Sequence, residues 1–157
     1  MITKVETIVE KIGRSDDKLL EILIAVQDTS EFNYLSQASL RAVSQALDIS
    51  LTRVYGTAEF YSMLSTKKRG KHVIQVCNSA PCHLQNGKEV IRIFQEILGI
   101  HMGEITEDGL FSLETVSCIG ACDQAPAVRI DKEVYGNLTR SKIFNILADL
   151  KRGETHD

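Results

Sequence analysis

No two of the four cysteines in this chain of 157 residues stand in C-x-x-C spacing, which removes the motif on which thiol–disulfide exchange catalysts are built. Its ten glycines form neither a G-x-G-x-x-G turn nor a P-loop, so no backbone cradle for a dinucleotide pyrophosphate is evident. Basic charge is also short: a formal net charge of −3 and a pI near 5.8 argue against a nucleic-acid partner. The chain opens without a continuous apolar run. Val5, Ile8, Val9 and Ile12 recur at helical spacing with Glu6 and Glu10 among them, which predicts an amphipathic helix and neither an export signal nor a membrane insertion. The expectation is a cytoplasmic, reducing compartment where thiols are available to metal. At 43% hydrophobic and 25% charged residues, the rest is ordinary globular material, enough for one domain or two small ones.

All four cysteines fall in two clusters, Cys77 with Cys82 (C-x4-C) and Cys118 with Cys122 (C-x3-C). Two irons sharing two sulfides take two thiolates each, so two close pairs on separate loops fit a [2Fe–2S] centre. Structural zinc also accepts four cysteines, but its loops are tighter, with C-x2-C the common knuckle. Disulfides are not needed by a chain long enough to bury its own core. On spacing, the iron–sulfur centre leads; zinc and unliganded or redox-paired cysteines stay open.

The first 65 or so residues read as four short helices. Ser15, Ser36 and Ser50 are placed to cap three of them, over stripes of Leu19, Leu20, Leu23 and Val26, then Leu40, Val43 and Leu47, then Leu51, Val54, Tyr55, Ala58 and Tyr61. Gly56 inside the last helix predicts a close backbone approach, most simply by another helix. The polar, basic run Ser65–Lys71 reads as a solvated linker, giving a helical bundle over 1–68 and a second domain over 69–157.

After the linker the period changes. Val73, Ile74 and Val76 predict a buried strand delivering Cys77 at its carboxyl end. Val90 to Leu98 predict a helix closed by Gly99, and Phe111 to Val116 a second strand leading to Cys118. Ala127–Ile130 and Glu133–Tyr135 predict a hairpin turning at Asp131-Lys132. A last helix is capped by Thr139 and buries Ile143, Phe144, Leu147 and Leu150. The order β-α-β-β-β-α suits a small mixed sheet of thioredoxin-like topology, so the fold class is α/β with a helical bundle in front. Both cysteine loops then leave strand ends and can meet.

Several stretches resemble one family. They are Val54-Tyr55-Gly56 with Phe60-Tyr61-Ser62, Cys77-x-Ser79-x-x-Cys82-His83, Cys118-Ile119-Gly120-Ala121-Cys122-Asp123 with Ala125-Pro126, and Leu138-Thr139. In this order they resemble the small NADH-side [2Fe–2S] subunit of respiratory complex I and its relatives in NAD-linked hydrogenases and formate dehydrogenases. The resemblance implies a thioredoxin-like domain holding one [2Fe–2S] cluster, beside a larger flavoprotein subunit that carries FMN and oxidises NADH. It implies an electron-transfer subunit of an oxidoreductase complex that does not oxidise NADH alone. The alternative is a non-redox docking subunit with a structural metal.

On this reading Cys77, Cys82, Cys118 and Cys122 are the ligands, each pair on one iron. Gly120 lets backbone N–H groups turn toward the sulfurs. His83 is a neighbour and not a ligand, because a Rieske-type iron takes two histidines and no second one is placed for it. Asp123 and Pro126 shape the loop. Phe60 and Tyr61 point to different faces of their helix, leaving one aromatic for another surface, which assigns the bundle to docking the flavoprotein.

Overall fold

Amphipathic helices make up the first of the two units into which the chain divides, Met1–Lys71 and His72–Asp157; the structure, a computed structural model, describes residues 2–154. They are α1 (Ile2–Ile12), α2 (Leu19–Asp28), α3 (Gln37–Leu47) and α4 (Leu51–Phe60). Ser36 and Ser50 stand in extended backbone, and their hydroxyls accept from the Ser39 and Arg53 N–H groups, so two caps act as their sequence predicts. Ser15 behaves differently. It precedes a 3₁₀ turn, Asp16–Lys18, without capping it, and its hydroxyl bonds the Asp17 carboxylate. Val5, Val9, Ile22, Leu23, Leu40, Val43 and Val54 close one core, each burial stabilising by about 1.5–3 kcal/mol. Nothing approaches Gly56, whose position is exposed; the glycine weakens α4 without serving a contact.

The segment 65–71 is a strap on the helical unit, not a solvated linker. Leu35 N–H donates to the Ser65 carbonyl, Arg69 N–H to that of Phe32, and the Asn33 carboxamide to those of Gly70 and Lys71. The Lys68 ammonium lies 3.5 Å from the Phe32 ring centroid. These contacts carry the first unit to Lys71, three residues past the boundary expected from composition.

In the second unit, β1 (His72–Cys77) lies between β2 (Phe111–Val116) and β3 (Val128–Ile130), with β4 (Glu133–Tyr135) at the edge, in the order β2-β1-β3-β4. β1 runs parallel to β2 and antiparallel to β3, a small mixed sheet. Parallel neighbours require a crossover, supplied by α5 (Ala80–Leu84) and α6 (Gly87–Leu98). α7 (Arg140–Glu154) follows the hairpin, with Thr139 accepting from Lys142 N–H. The face carrying Ile74, Val76, Leu113, Val128 and Ile130 packs with Ile93 and Phe94 of α6 and Ile143 and Leu147 of α7. Phe144 is not among them. It is 60% exposed, because it follows Ile143 directly and one step along a helix turns by about 100°. The other face bears a polar row in which Gln75 accepts from Arg129 at 2.9 and 2.5 Å and reaches toward Glu114.

The approach to β2 is built by a tight turn. Thr106 donates its hydroxyl to Asp108 at 2.5 Å and accepts from Phe111 N–H, while Leu110 N–H donates to Asp108. The Thr106 hydroxyl first, then the Leu110 N–H, hold the Asp108 carboxyl below the usual carboxylate range. A folded-state pKa below the unfolded value of about 3.9 gives stability above that value that is lost as pH falls through the lower one. Asp108→Asn is therefore expected to lower the urea midpoint at neutral pH, the difference from the parent closing as pH falls through the lowered carboxyl value; a constant difference would refute the assignment. One position further into β2, the Ser112 hydroxyl is buried without a hydrogen-bond partner. Since an orphaned polar group costs about 1–3 kcal/mol, Ser112→Ala is expected to raise stability by about 1 kcal/mol in the same assay. A loss would mean the hydroxyl has a partner.

Candidate metal centre

Cys77 is the last residue of β1, and its position follows from the strand pairing. Its Cα partner on β2 is Val116, so the chain leaving β2 reaches Cys118 two residues later. On the other side Cys77 N–H donates to the Ala127 carbonyl at 3.2 Å, and Asn78 N–H to that of Val116 at 3.0 Å. Cys82 arrives by α5, a short helix with Ser79 before it and Pro81 in its first turn, where a missing N–H costs nothing. In sequence this stretch reads as a loop; five residues are too few for a hydrophobic period to register. Cys77, Cys82 and Ala127 form a small buried cluster, against which Ile119, Ala121 and Ala125 pack.

The second pair sits on an irregular segment. Gly120 has φ +85°, a left-handed conformation that folds the chain back, and Cys122 opens a 3₁₀ turn, Cys122–Gln124, followed by a cis Ala125–Pro126 bond. The turn brings the Cys118 and Cys122 sulfurs to 3.5 Å. Two thiolates about 2.3 Å from one tetrahedral ion stand about 3.8 Å apart, so this spacing is near that of two ligands of one metal. The pairs differ in exposure: Cys77 and Cys82 are each 2% exposed, whereas Cys118 and Cys122 are open to solvent.

Hydrogen bonds set the electrostatics. Burial pushes the Cys77 thiol up, but bonds from the backbone of Ser79 and Ile119 and from the Cys82 thiol outweigh it, and Cys77 lies below the ordinary thiol value. Burial raises Cys82, with the Cys77 sulfur adding to the effect and a bond from the Ala127 backbone opposing it. The hydrogen bond and charge of Cys118 raise Cys122, with smaller contributions from Cys82 and Cys77. All four sulfurs thus lie in one electrostatic neighbourhood. A metal centre there relieves the repulsion that four thiolates impose on one another. Among the described residues no three Cys, His, Asp or Glu side chains surround a single ion position. The donor set is two pairs of thiols, and thiolate sulfur is the ligand type that iron–sulfur centres take.

Of the residues singled out in the sequence, Cys118 and Cys122 meet at 3.5 Å and Cys77 and Cys82 share one buried cluster. His83 is exposed on α5, and the Asp123 carboxylate is 3.4 Å from the Gln124 amide. Gly120 supplies the turn, while the N–H donors to sulfur come from Ser79, Ile119 and Ala127. Those three were missed because a backbone donor leaves no mark in side-chain identity. From the exposures, iodoacetamide should alkylate Cys118 and Cys122 of the reduced, metal-free chain at least tenfold faster than Cys77 and Cys82, as followed by peptide mass spectrometry. Equal rates would contradict the burial of the first pair.

Comparison with known proteins places these features in context. Residues 5–151 match the family described as thioredoxin-like [2Fe-2S] ferredoxin. The chain is 33% identical over 141 residues to the NADP-reducing hydrogenase subunit HndA of Solidesulfovibrio fructosivorans, covering 90% of this chain and 81% of that one. It is 37% identical over 114 residues to an NADH-quinone oxidoreductase subunit of Rickettsia felis, covering 73% and 68%. An air-oxidised NAD+-reducing [NiFe]-hydrogenase contains a chain of similar fold, with a TM-score of 0.78 at 20% identity. The match spans 91% of the present chain and 24% of that one.

Proposed function

Because the chain belongs to the thioredoxin-like [2Fe-2S] ferredoxin family, we propose that Cys77, Cys82, Cys118 and Cys122 hold one [2Fe–2S] cluster and that the protein is an electron-transfer subunit of a multisubunit NAD(P)-linked oxidoreductase. The observation that supports this reading is the register of β1 on β2, which starts the segment of the exposed thiol pair beside Cys77 of the buried one. When bound, the cluster would accept and release single electrons. The chain's own part is to position and tune. Cys77 and Cys82 supply one pair of thiolates from the interior, and Cys118 and Cys122 the other from the surface. The N–H groups of Ser79, Ile119 and Ala127 stabilise negative charge on the sulfurs, which favours the reduced state, while the apolar cluster of Ala127, Ile119, Ala121 and Ala125 limits water, which disfavours it.

The exposed pair gives a route for electrons to and from another protein. The proposed partner is a flavoprotein subunit carrying FMN and binding NADH, with further iron–sulfur, hydrogenase or dehydrogenase subunits beyond it. A hydride from NADH brings two electrons, so a flavin must divide them before a one-electron centre can take them. On the helical unit, Phe60 is 79% exposed and stacks edge-on against Tyr61, and we assign that patch to docking the flavoprotein. Among the described residues no helix is long and apolar enough to cross a membrane; a reducing cytoplasm is proposed because it keeps thiols available for metal.

Anaerobically purified protein should contain about two irons and two acid-labile sulfides per chain, the composition of one such cluster, and show a paramagnetic signal on reduction. One zinc without sulfide would instead support a structural site in a docking subunit. NADH alone should leave the visible absorbance unbleached for many minutes, and the FMN-bearing partner should bleach it promptly. Rapid bleaching without flavin would overturn the reading of a dependent carrier.

A further inference from the structure

Two glycines stand against the two cysteine-bearing turns, and neither is required by a left-handed φ. A Cβ on Gly87, the first residue of α6, would lie 2.6 Å from the Cys82 carbonyl oxygen and 3.0 Å from its carbon. A Cβ on Gly136 would overlap the Gln124 Cβ and lie 2.7 Å from the Gln124 carbonyl oxygen. Each glycine meets a backbone carbonyl oxygen, and the Gln124 Cβ is itself fixed by its backbone, so neither contact can swing aside as the far end of a side chain can. Gln124 ends the 3₁₀ turn that Cys122 begins, so each glycine abuts a turn that carries one of the cysteines.

The Gly136 contact is fastened at both ends. Asn137 N–H donates to the Gln124 carbonyl at 2.6 Å, and the Lys142 ammonium of α7 donates to the Gly136 carbonyl at 2.6 Å. A continuous strut therefore runs from α7 through Gly136 to the turn of Cys122. Cys118 and Cys122 are exposed, and of their segment only Ile119, Ala121 and Ala125 pack against the buried cluster of Cys77 and Cys82. Resting on the ligand assignment above, we propose that two separate clamps position the metal centre: Gly87 against Cys82 sets the buried pair, and Lys142 through Gly136 and Gln124 sets the exposed pair. Lys142 is a positioning residue in this scheme. It acts on Cys118 and Cys122 through backbone, and its charge-assisted bond gives the loop the rigidity that a support around a metal site must supply.

The test uses the full chain in two states. In the reduced, metal-free state, phenylarsine oxide bridges two neighbouring thiols with loss of water, and peptide mapping locates each bridge. Lys142→Met and Gly136→Ala should slow bridging at Cys118 and Cys122 at least fivefold and leave Cys77 and Cys82 unchanged; Gly87→Ala should do the reverse. In the iron-loaded state, Lys142→Met should shorten iron retention against a chelator at least fivefold and shift the g-values of the reduced protein, with Lys142→Arg restoring both. Should an alanine at either glycine unfold its unit, Lys142→Met, which introduces no overlap, decides the strut. Parent-like bridging and retention in folded Lys142→Met overturn it, and parent-like bridging in folded Gly87→Ala overturns the other clamp. If the parent itself assembles no [2Fe–2S] cluster, the ligand reading fails while the bridging rates still decide whether the clamps exist.

Discussion

The parallel register of β1 on β2 is the constraint from which the centre follows. With His72 opposite Phe111 and Cys77 opposite Val116, the first cysteine and the chain leading to Cys118 leave the sheet side by side. A slip of one residue would send Cys77 to the opposite face and Ile74 and Val76 out of the core. The buried row Ile74, Leu113 and Ile130 locks that register, so hydrophobic burial far from the sulfurs determines where they meet. His72 and Val73 add a polar lock at the start of the strand: the Asp131 carboxylate accepts from His72 Nδ1 at 2.7 Å and Val73 N–H at 2.9 Å.

Asymmetry between the two sulfur pairs is the second theme. One pair lies against alanines and an isoleucine, with backbone N–H groups aimed at it; the other lies on a turn of polar and small residues. Burial and hydrogen bonding act in opposite directions on a thiolate; at Cys77 the bonds prevail, and at Cys82 burial does. The chain buries one thiol pair and leaves the other open to solvent.

Much of this was legible in the sequence because it rests on side-chain identity and period. The strands, α6 and the caps at Ser36, Ser50 and Thr139 follow from β-branched runs, helical spacing and short hydroxyl residues. That both cysteine segments leave neighbouring strand ends follows from the strands that carry them. What was not legible has a common cause: it depends on backbone. The strap over 65–71 reads as charge and solvent from its side chains, yet it is held by its carbonyls and N–H groups to Phe32, Asn33 and Leu35. The tight contacts of Gly87 and Gly136 look in sequence like any other glycine, and so does Gly56, which touches nothing. Phe144 shows the limit of periodicity itself, since it shares a stripe with Leu147 on paper and faces solvent in the fold.

The sheet order also governs how the chain must be made. β1 is buried along almost its whole length and has neighbours on both sides, yet β2 and β3 are each synthesised later. As the chain emerges from a ribosome at roughly 5–20 residues per second, β1 waits with two unpaired edges and an apolar face until Phe111–Val116 has appeared. Long-range pairing of this kind is slow and prone to aggregation. Transient exposure of an apolar strand during translation is therefore written into the position of one strand.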